Sequence, residues 1–337
     1  MDKVFNAPMA HLLGALLSLA AIFLQGVEGT IGVNYGTVAG DLPPPVQVVR
    51  FLRESTFIRR VRLFDANPEI LKAFARTGIS VTVHVPNDLI PQLTELSCTT
   101  MEYLLATEVI SAANKLLIGN LVPAMETLQV ALVDKFLDRH IQISTPHFLG
   151  ILSNSTPPST GKFRPGYGIH VLKPLLEFLR AINSPFMINP YPVFDSSDDA
   201  PDYALFRPNP GVFDEITGLT YTNMLDAQLD AVFSALKLLD FEDIDIVIAE
   251  IGMAIERRSW ASRRHLKTSI FALFDKDLKP GPTCERNFRL FKPDMTPLYD
   301  IGILRPTVPN AAASTDHSHT NSRTILIILL LVWLMCL

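Results

Sequence analysis

The chain has 337 residues and a net charge of −5, with 34 acidic and 29 basic side chains. The sequence contains no basic run or stripe, which argues against nucleic acid as a partner. About 280 residues remain once the two apolar ends are set aside, a length that suits one large α/β barrel.

Residues 1–29 predict a secretory signal peptide. Lys3 gives a positive start, residues 12–24 form an apolar stretch, and small residues near Gly29 offer a cleavage site. The apolar stretch is short for a membrane span. An uncleaved anchor is the alternative.

Strand-like and helix-like segments alternate between the two ends, which is the pattern of βα units. The segments that predict strands are 31–35, 61–64, 79–85, 103–107, 141–145, 186–189, 244–249 and 269–274. Apolar residues at helical spacing predict three helices, after Pro45 (Val46, Val49, Leu52), over 114–136 (Leu117, Leu121, Met125, Leu128, Leu132) and over 224–239 (Leu225, Leu229, Val232, Phe233, Leu236). The sequence therefore predicts an α/β fold, a (β/α)8 TIM barrel over residues 30–308.

Two intervals between predicted strands are short. Only residues 92–99 lie between the loop after the third predicted strand and the approach to the fourth. About twenty residues separate Glu250 from the eighth predicted strand. Parallel strands need a crossover of about a dozen residues or more, and residues 92–99 are fewer than that. A locally distorted barrel and a splice or gene-model variant are both compatible with these gaps.

The cysteines and one sequon fit an extracellular protein. Cys336 lies in the apolar tail, and Cys98 and Cys284 remain. One possible pair indicates a fold held by its core, and we favour two separate thiols. Asn154 begins an N-glycosylation acceptor in a proline-rich segment, which suggests an exposed loop.

Residues 309–337 predict a spacer and a glycosylphosphatidylinositol (GPI) anchor signal. Small residues at 311–314 precede a polar spacer at 315–324 and an apolar tail at 325–337. The tail would rise about 20 Å as a helix, short of the ~30 Å hydrocarbon core, so a plain tail anchor is the weaker alternative. We therefore expect a secreted monomer in the cell wall space, held by lipid at the extracellular face of the plasma membrane.

Two glutamates each follow an apolar, strand-like run. Glu108 follows residues 103–107, and Glu250 follows residues 244–249. Active sites of such barrels lie at the carboxyl ends of the strands, and a pair of carboxylates is what cleavage of a glycosidic bond requires. A solvated rim charge or a salt bridge to a helix is the alternative for either residue.

Nine motifs cover nearly the whole predicted mature chain. In order they are IGVNYG (31–36), VRLFDANP (61–68), PNDLIP (86–91), LVPAM (121–125), STPH (144–147), SPFMINPYP (184–192), DYALFR (202–207), YTNMLDAQLDA (221–231) and KPGPTCERN (279–287). With these motifs the chain resembles plant β-1,3-glucanases of glycoside hydrolase family 17. The resemblance implies a (β/α)8 barrel, endo-hydrolysis of β-1,3-glucan such as callose with net retention, and no metal or cofactor.

The resemblance also implies roles for particular residues. The general acid is expected at Glu108, in ATE at 106–108, and the nucleophile at Glu250, in EIGM at 250–253. The substrate-binding positions that it implies are Tyr35, Thr107, Asn189, Tyr191, Lys279 and Glu285.

Several of these positions have a second interpretation. Lys279 and Glu285 could form a loop ion pair instead of binding sugar hydroxyls. Tyr35, Tyr191 and Phe194 could pack in the core or at the rim instead of stacking on pyranose rings.

Three positions depart from the family pattern. Thr107 replaces an Asn, Met253 replaces a Trp and Phe64 replaces a Tyr. Compared with the family, the helices after strands 3 and 7 are also expected to be missing or shortened. Thr107, Met253 and these gaps favour, as an alternative function, a catalytically weak or inactive β-glucan-binding protein. A non-functional remnant and a β-1,3-1,4-glucan hydrolase are further alternatives.

The other candidate residues are one arginine and three histidines. Arg62 is expected to point into the barrel mouth, where a buried guanidinium needs a carboxylate, and Glu250 is the expected partner. His84, His147 and His170 lack the spacing of metal ligands. They are expected to be packed or hydrogen-bonded.

Overall fold

The computed structural model describes residues 31–85, 90–95, 118–190, 201–251, 267–279, 288–298 and 301–306. In those residues the strands are β1 (Ile31–Tyr35), β2 (Arg60–Leu63), β3 (Ser80–Thr82), β4 (Pro146–Phe148), β5 (Leu152–Asn154), β6 (Lys162–Phe163), β7 (Phe186–Asn189), β8 (Val212–Asp214), β9 (Leu219–Tyr221), β10 (Ile246–Ile251) and β11 (Thr268–Ile270). The α-helices are α1 (Pro45–Ser55), α2 (Pro68–Phe74), α3 (Ile90–Glu95), α4 (Leu121–Asp134), α5 (Lys173–Ala181), α6 (Pro201–Ala204) and α7 (Met224–Lys237).

Seven of these strands form one sheet with the order β3-β2-β1-β11-β10-β7-β4, and every pair in it is parallel. The first strand of the chain, β1, therefore pairs with β11, the last strand of the sheet in the chain. This circular order is that of a barrel built from consecutive βα units. Residues 103–107, predicted as the fourth strand, lie outside the described residues; in chain order they fall between β3 and β4, the two ends of the strand order.

Among the described residues, each predicted strand overlaps a strand of the structure except the fifth. The bounds predicted for β1 and β7 are confirmed, and β2, β3, β10 and β11 differ from their predicted segments at one or both ends. The strand predicted at 141–145 is wrong, because the ladder with β7 is made by Pro146–Phe148. In the predicted segment, side chains bond to the neighbouring backbone instead: Ser144 Oγ donates to Pro185 O (2.6 Å) and Gln142 Nε2 donates to Asn183 O (2.8 Å).

The helices begin and end for local reasons. Pro45 occupies the first turn of α1, where its missing N–H costs nothing. The buried face of α1 is Val48, Val49 and Leu52, whereas Val46, predicted to share that face, is exposed. Helix α7 begins where the Asn223 side chain accepts a hydrogen bond from the backbone N–H of Asp226.

Two apolar clusters fill the layer between the sheet and its helices. The α7 cluster includes Leu172, Leu176, Phe186, Leu229, Val232, Ile248 and Ile251. The α1 cluster includes Val33, Tyr35, Leu52, Leu63, Phe74 and Phe274. A small third cluster of Met187, Val247 and Ala249 comes from the alternate positions of β7 and β10, and therefore lies on the inner face of the sheet.

Several predictions fall outside the described residues. These are the signal peptide, the GPI signal, most of the two short intervals, and the cysteines. Over the described ranges, none of the helices has the length and apolar character needed to span a bilayer.

Candidate active site

Glu250 points into the barrel because β10 has an irregular register. Strand β10 pairs with β11 at Ile248 and at Ile251, with a shift between them. Both isoleucines pack in the α7 cluster outside the sheet, so two residues, Ala249 and Glu250, separate consecutive outward side chains. A bulge of this kind re-aims side chains and is common next to active sites.

Arg62 meets Glu250 from the facing side of the sheet. Its Nη1 donates to Oε1 of Glu250 in an ion pair and lies 3.4 Å from the Ala249 carbonyl oxygen. The two side chains are only 5% and 12% exposed, so little water screens the pair. The predicted partnership of Arg62 with Glu250 is thus confirmed, as a charge-assisted hydrogen bond in a buried place.

A cleft of about 860 Å³ adjoins this ion pair and extends along the inside of the sheet to the apolar face of α4. Phe64, His84 and Asn189 line the part of it that holds Arg62 and Glu250. The Oδ1 atom of Asn189, at the end of β7, is buried and accepts no hydrogen bond from the described residues. A buried acceptor of this kind suits a ligand hydroxyl.

Lys276 is a further charged side chain at this end of the sheet, one that sequence reasoning missed. It is buried, and its Nζ lies 3.5 Å from the ring centroid of Phe64 and 4.2 Å from that of Phe271. Burial lowers the pKa of Lys276 to about 7, although the negative charge of Glu250 opposes this shift. The signal that could have found it is the one that selected Glu250, a charge close behind an apolar run.

The structure places the described substrate-binding candidates in different surroundings. Asn189 lines the cleft with Glu250, as described above. Lys279 is half-buried, with Nζ 5.4 Å from the Phe271 ring centroid. The remaining candidates, Thr107, Glu108, Tyr191 and Glu285, lie outside the described residues, as do Phe194 and Met253.

Tyr35 corrects one expectation. Its side chain is 1% exposed, and its ring lies edge-on to Phe74 (6.5 Å) and Phe274 (6.0 Å) in the α1 cluster. Burial and the nearby charge of Asp65 raise the pKa of Tyr35 to about 12. Because Tyr35 alternates with Asn34 along β1, its ring faces the helices, so it packs in the core and does not stack on a sugar.

The three histidines differ from one another. His84 lines the cleft, where burial and Arg62 lower its pKa while Glu250 raises it. His147 is buried and stacks on Phe186 (5.0 Å between ring centroids), as expected of a packed histidine. His170 is exposed, so of the two expectations, packing and hydrogen bonding, the structure contradicts packing. Among the described residues, no three His, Cys, Asp or Glu side chains form a group that could hold a metal ion.

Asn154, the predicted glycosylation site, lies in β5 of a two-stranded antiparallel ribbon with β6. Its Nδ2, the atom to which a glycan would be attached, donates to Thr160 Oγ1 at 2.8 Å. Attachment of a glycan replaces one of the two hydrogens of Nδ2, so one N–H remains for this hydrogen bond.

Comparison with known proteins places these features in a family. The profile of the glycosyl hydrolases family 17 matches residues 31–262. A glucan endo-1,3-beta-glucosidase of Triticum aestivum is 40% identical over 344 aligned positions, covering 86% of this chain and 74% of that protein. Glucan endo-1,3-beta-glucosidase 7 of Arabidopsis thaliana is 39% identical, covering 82% of this chain and 64% of that protein.

Solved structures agree with the sequence relatives. CJP38, a beta-1,3-glucanase and allergen of Cryptomeria japonica pollen, superposes with a TM-score of 0.70 at 32% identity, covering 81% of this chain and 99% of its own. A plant beta-glucan endohydrolase superposes with a TM-score of 0.66 at 28% identity, covering 81% of this chain and 100% of its own.

Proposed function

Because the chain belongs to glycosyl hydrolase family 17, we propose that it hydrolyses β-1,3-glucosidic bonds within β-1,3-glucan, with net retention of configuration. The observation that carries the proposal is the buried ion pair of Glu250 with Arg62, at the carboxyl ends of parallel strands and beside a cleft. The relatives named above act, by their names, on the same linkage.

Glu250 has the surroundings of a nucleophile. Arg62 forms an ion pair with its carboxylate, and the bulge in β10 aims it at the cleft. In the first step a carboxylate oxygen of Glu250 attacks the anomeric carbon, the bond to the leaving sugar oxygen breaks, and an ester to the enzyme forms. A proton must reach the leaving oxygen in the same step.

We assign that proton to Glu108, from its place in the ATE motif. A retaining enzyme needs its two carboxyl groups about 5–5.5 Å apart. In the second step Glu108 takes a proton from water, the water oxygen bonds to the anomeric carbon, and Glu250 leaves as a carboxylate. Two displacements at one carbon give net retention.

The remaining cleft residues fit substrate positioning. The unpaired Oδ1 of Asn189 suits a sugar hydroxyl donor. Lys279 lies beyond the eighth strand, where with Glu285 it could meet further hydroxyls. Thr107 and Tyr191 complete the set by their place in the family motifs.

The test is hydrolysis of laminarin by the purified protein, followed as reducing ends and as product length. We expect release of oligosaccharides, and a fall of about a thousandfold or more in kcat for Glu250→Gln and for Glu108→Gln. Glu215→Gln is the control, since Glu215 is exposed on the β8–β9 hairpin. The β anomer should appear first by NMR.

Two outcomes would point elsewhere. Laminarin binding with no more release than from Glu250→Gln would favour the weak or inactive binding protein. Faster hydrolysis of a mixed-linkage β-1,3-1,4-glucan than of laminarin would correct the linkage.

We further propose that the protein is secreted and held at the outer face of the plasma membrane by a GPI anchor, near a cell wall substrate. The support is the sequence at residues 1–29 and 309–337. Phosphatidylinositol-specific phospholipase C should release it from intact cells. A peptide:N-glycosidase should lower its mass, and Asn154→Gln should abolish that change.

A further inference from the structure

Lys276 is held at the carboxyl end of the sheet by residues that follow three of its strands, β1, β2 and β11. Its side chain passes over Gly36, which follows β1: a Cβ built on Gly36 would lie 2.1 Å from Lys276 Cε and 2.9 Å from Nζ. The ammonium then lies against the rings of Phe64, from the end of β2, and Phe271, from the end of β11. A glycine that leaves room and two rings that take a cation form a seat for an ammonium group.

The same ring of Phe64 also contacts Arg62, with Cζ 5.2 Å from the ring centroid. Arg62, which pairs with Glu250, and Lys276 therefore both lie near the ring of Phe64. Among the described residues, no carboxylate forms a salt bridge with Lys276, and the negative charge that acts on it is that of Glu250.

We propose that Lys276 is a positioning residue for Glu250, a second cation that acts through space on the carboxylate and favours its ionised form. The inference rests on the proposed role of Glu250 as nucleophile. When water breaks the ester, the electron pair of the broken bond returns to Glu250, and a charged Lys276 stabilises that leaving carboxylate. Arg62 gives a constant charge, whereas Lys276 gives one that responds to pH.

The charged groups around Lys276 come from several elements. Arg62 on β2 and Lys279 after β11 disfavour its ammonium form, and Glu250 on β10 favours it. His84, after β3, is influenced by the same Arg62 and Glu250.

The two aspartates next to Lys276 in the chain have other partners. Asp275 pairs with Arg289 at 2.6 Å, and Asp277 accepts a hydrogen bond from the backbone N–H of Gly40 at 3.1 Å. Since burial brings the pKa of Lys276 to about 7, its charge is the one expected to change near neutrality.

The first test measures the coupling without any substrate. The full protein and its Glu250→Gln variant are labelled with trace acetic anhydride from pH 5 to 10, and the reactivity of each lysine is read by mass spectrometry. We expect the midpoint of Lys276 to fall by about half a pH unit or more in Glu250→Gln, because an anion that favours the ammonium is gone. Lys237, at the end of α7, is the internal control and should not move. An unchanged Lys276 midpoint overturns the inference.

The second test reads the coupling in catalysis. On laminarin, Lys276→Met should move the acid limb of the kcat/KM profile to higher pH by about half a unit or more, and Lys276→Arg should restore it. A role in packing alone would lower the unfolding temperature and leave the limb in place. A limb that does not move in Lys276→Met overturns the inference.

The two tests separate this inference from the function on which it rests. An inactive Glu250→Gln with an unshifted Lys276 midpoint removes the inference alone. A fully active Glu250→Gln removes the proposed function, and with it any catalytic part for Lys276, whatever the labelling gives.

Discussion

Arg62 and Glu250 lie 188 positions apart in the chain and form a buried ion pair. Their pairing could be predicted from the sequence because each follows a simple rule: Arg62 alternates with apolar residues on a strand, and Glu250 ends an apolar run. The seat of Lys276 could not be predicted, since it depends on Gly36, Phe64 and Phe271 coming together from three strands. The ring of Tyr35 was misassigned because alternation along β1 was not applied to it.

The first prediction concerns the loss of the ion pair between Arg62 and Glu250. Arg62→Met should lower the free energy of unfolding by about 3–5 kcal/mol, because it removes one member of a buried ion pair and leaves the charge of the other. Arg53→Met is the matched control, since Arg53 pairs with Glu54 at 56% and 53% exposure and should cost at most about 1 kcal/mol. Urea unfolding at pH 7 measures both. Equal stability of the two variants would contradict the buried pair.

The second prediction concerns His147 and pH. Burial lowers its pKa to about 4, against about 6.5 in the unfolded chain. As the pH falls, the unfolded chain binds the proton first, so stability is lost between pH of about 6.5 and about 4 and then changes no further. The loss is on the order of 3 kcal/mol.

His147→Phe should keep the ring stack on Phe186 and remove that loss. Urea unfolding at pH 7 and at pH 4.5 measures the difference for each protein. His170→Gln, at an exposed position, should behave like the parent protein. If the His147→Phe variant lost as much stability between pH 7 and pH 4.5 as the parent protein, the assignment of this loss to His147 would be wrong.

At the scale of elements, the start of a helix is easier to predict than the place of a short strand. Pro45 marked the first turn of α1 correctly, because a proline at the start of a helix is local chemistry. The shift of β4 to Pro146–Phe148 was not visible, because Ser144 and Gln142 bond to backbone groups that approach only in the folded state. The bulge in β10 is likewise a consequence of pairing with β11, not of its own sequence.

The third prediction concerns the contact between the Pro158–Thr160 turn and α7. A Cβ on Gly161 would lie 2.1 Å from the carbonyl oxygen of Ala231 and 2.7 Å from two further backbone atoms. Gly161→Ala should therefore cost about 1–3 kcal/mol by overpacking. Gly40→Ala is the control, since its Cβ would meet only Asp277 Oδ2, at 3.7 Å. Thermal unfolding compares them, and equal midpoints would contradict the close approach.

For the whole molecule, the number of βα units predicted the barrel order, because consecutive parallel units leave few ways to arrange a sheet. The sequence did not predict how the core divides. The α7 cluster and the α1 cluster lie along different strands of one sheet and are joined through the pairing of β10 with β11. We expect that shared sheet to make them unfold together.

The fourth prediction tests that cooperation. Leu172→Ala, in the α7 cluster, and Leu52→Ala, in the α1 cluster, each remove a fully buried side chain and should cost about 2–5 kcal/mol. Each should move one single transition in calorimetry and in circular dichroism. Leu278→Ala, at a 63% exposed position, should change little. A variant that split the transition in two would show that the clusters unfold independently.

Because β1 pairs with β11, the sheet can form completely only late in the synthesis of the chain. The 188 positions between Arg62 and Glu250 take about 10 to 40 seconds to synthesise at usual rates. Throughout that time the edge of β1 in the nascent chain has unpaired backbone groups, which other strands can bind. We expect chaperones to protect this edge. The carboxylate of Glu250 is added only after 249 of the 337 residues, so no fragment released earlier holds a complete site.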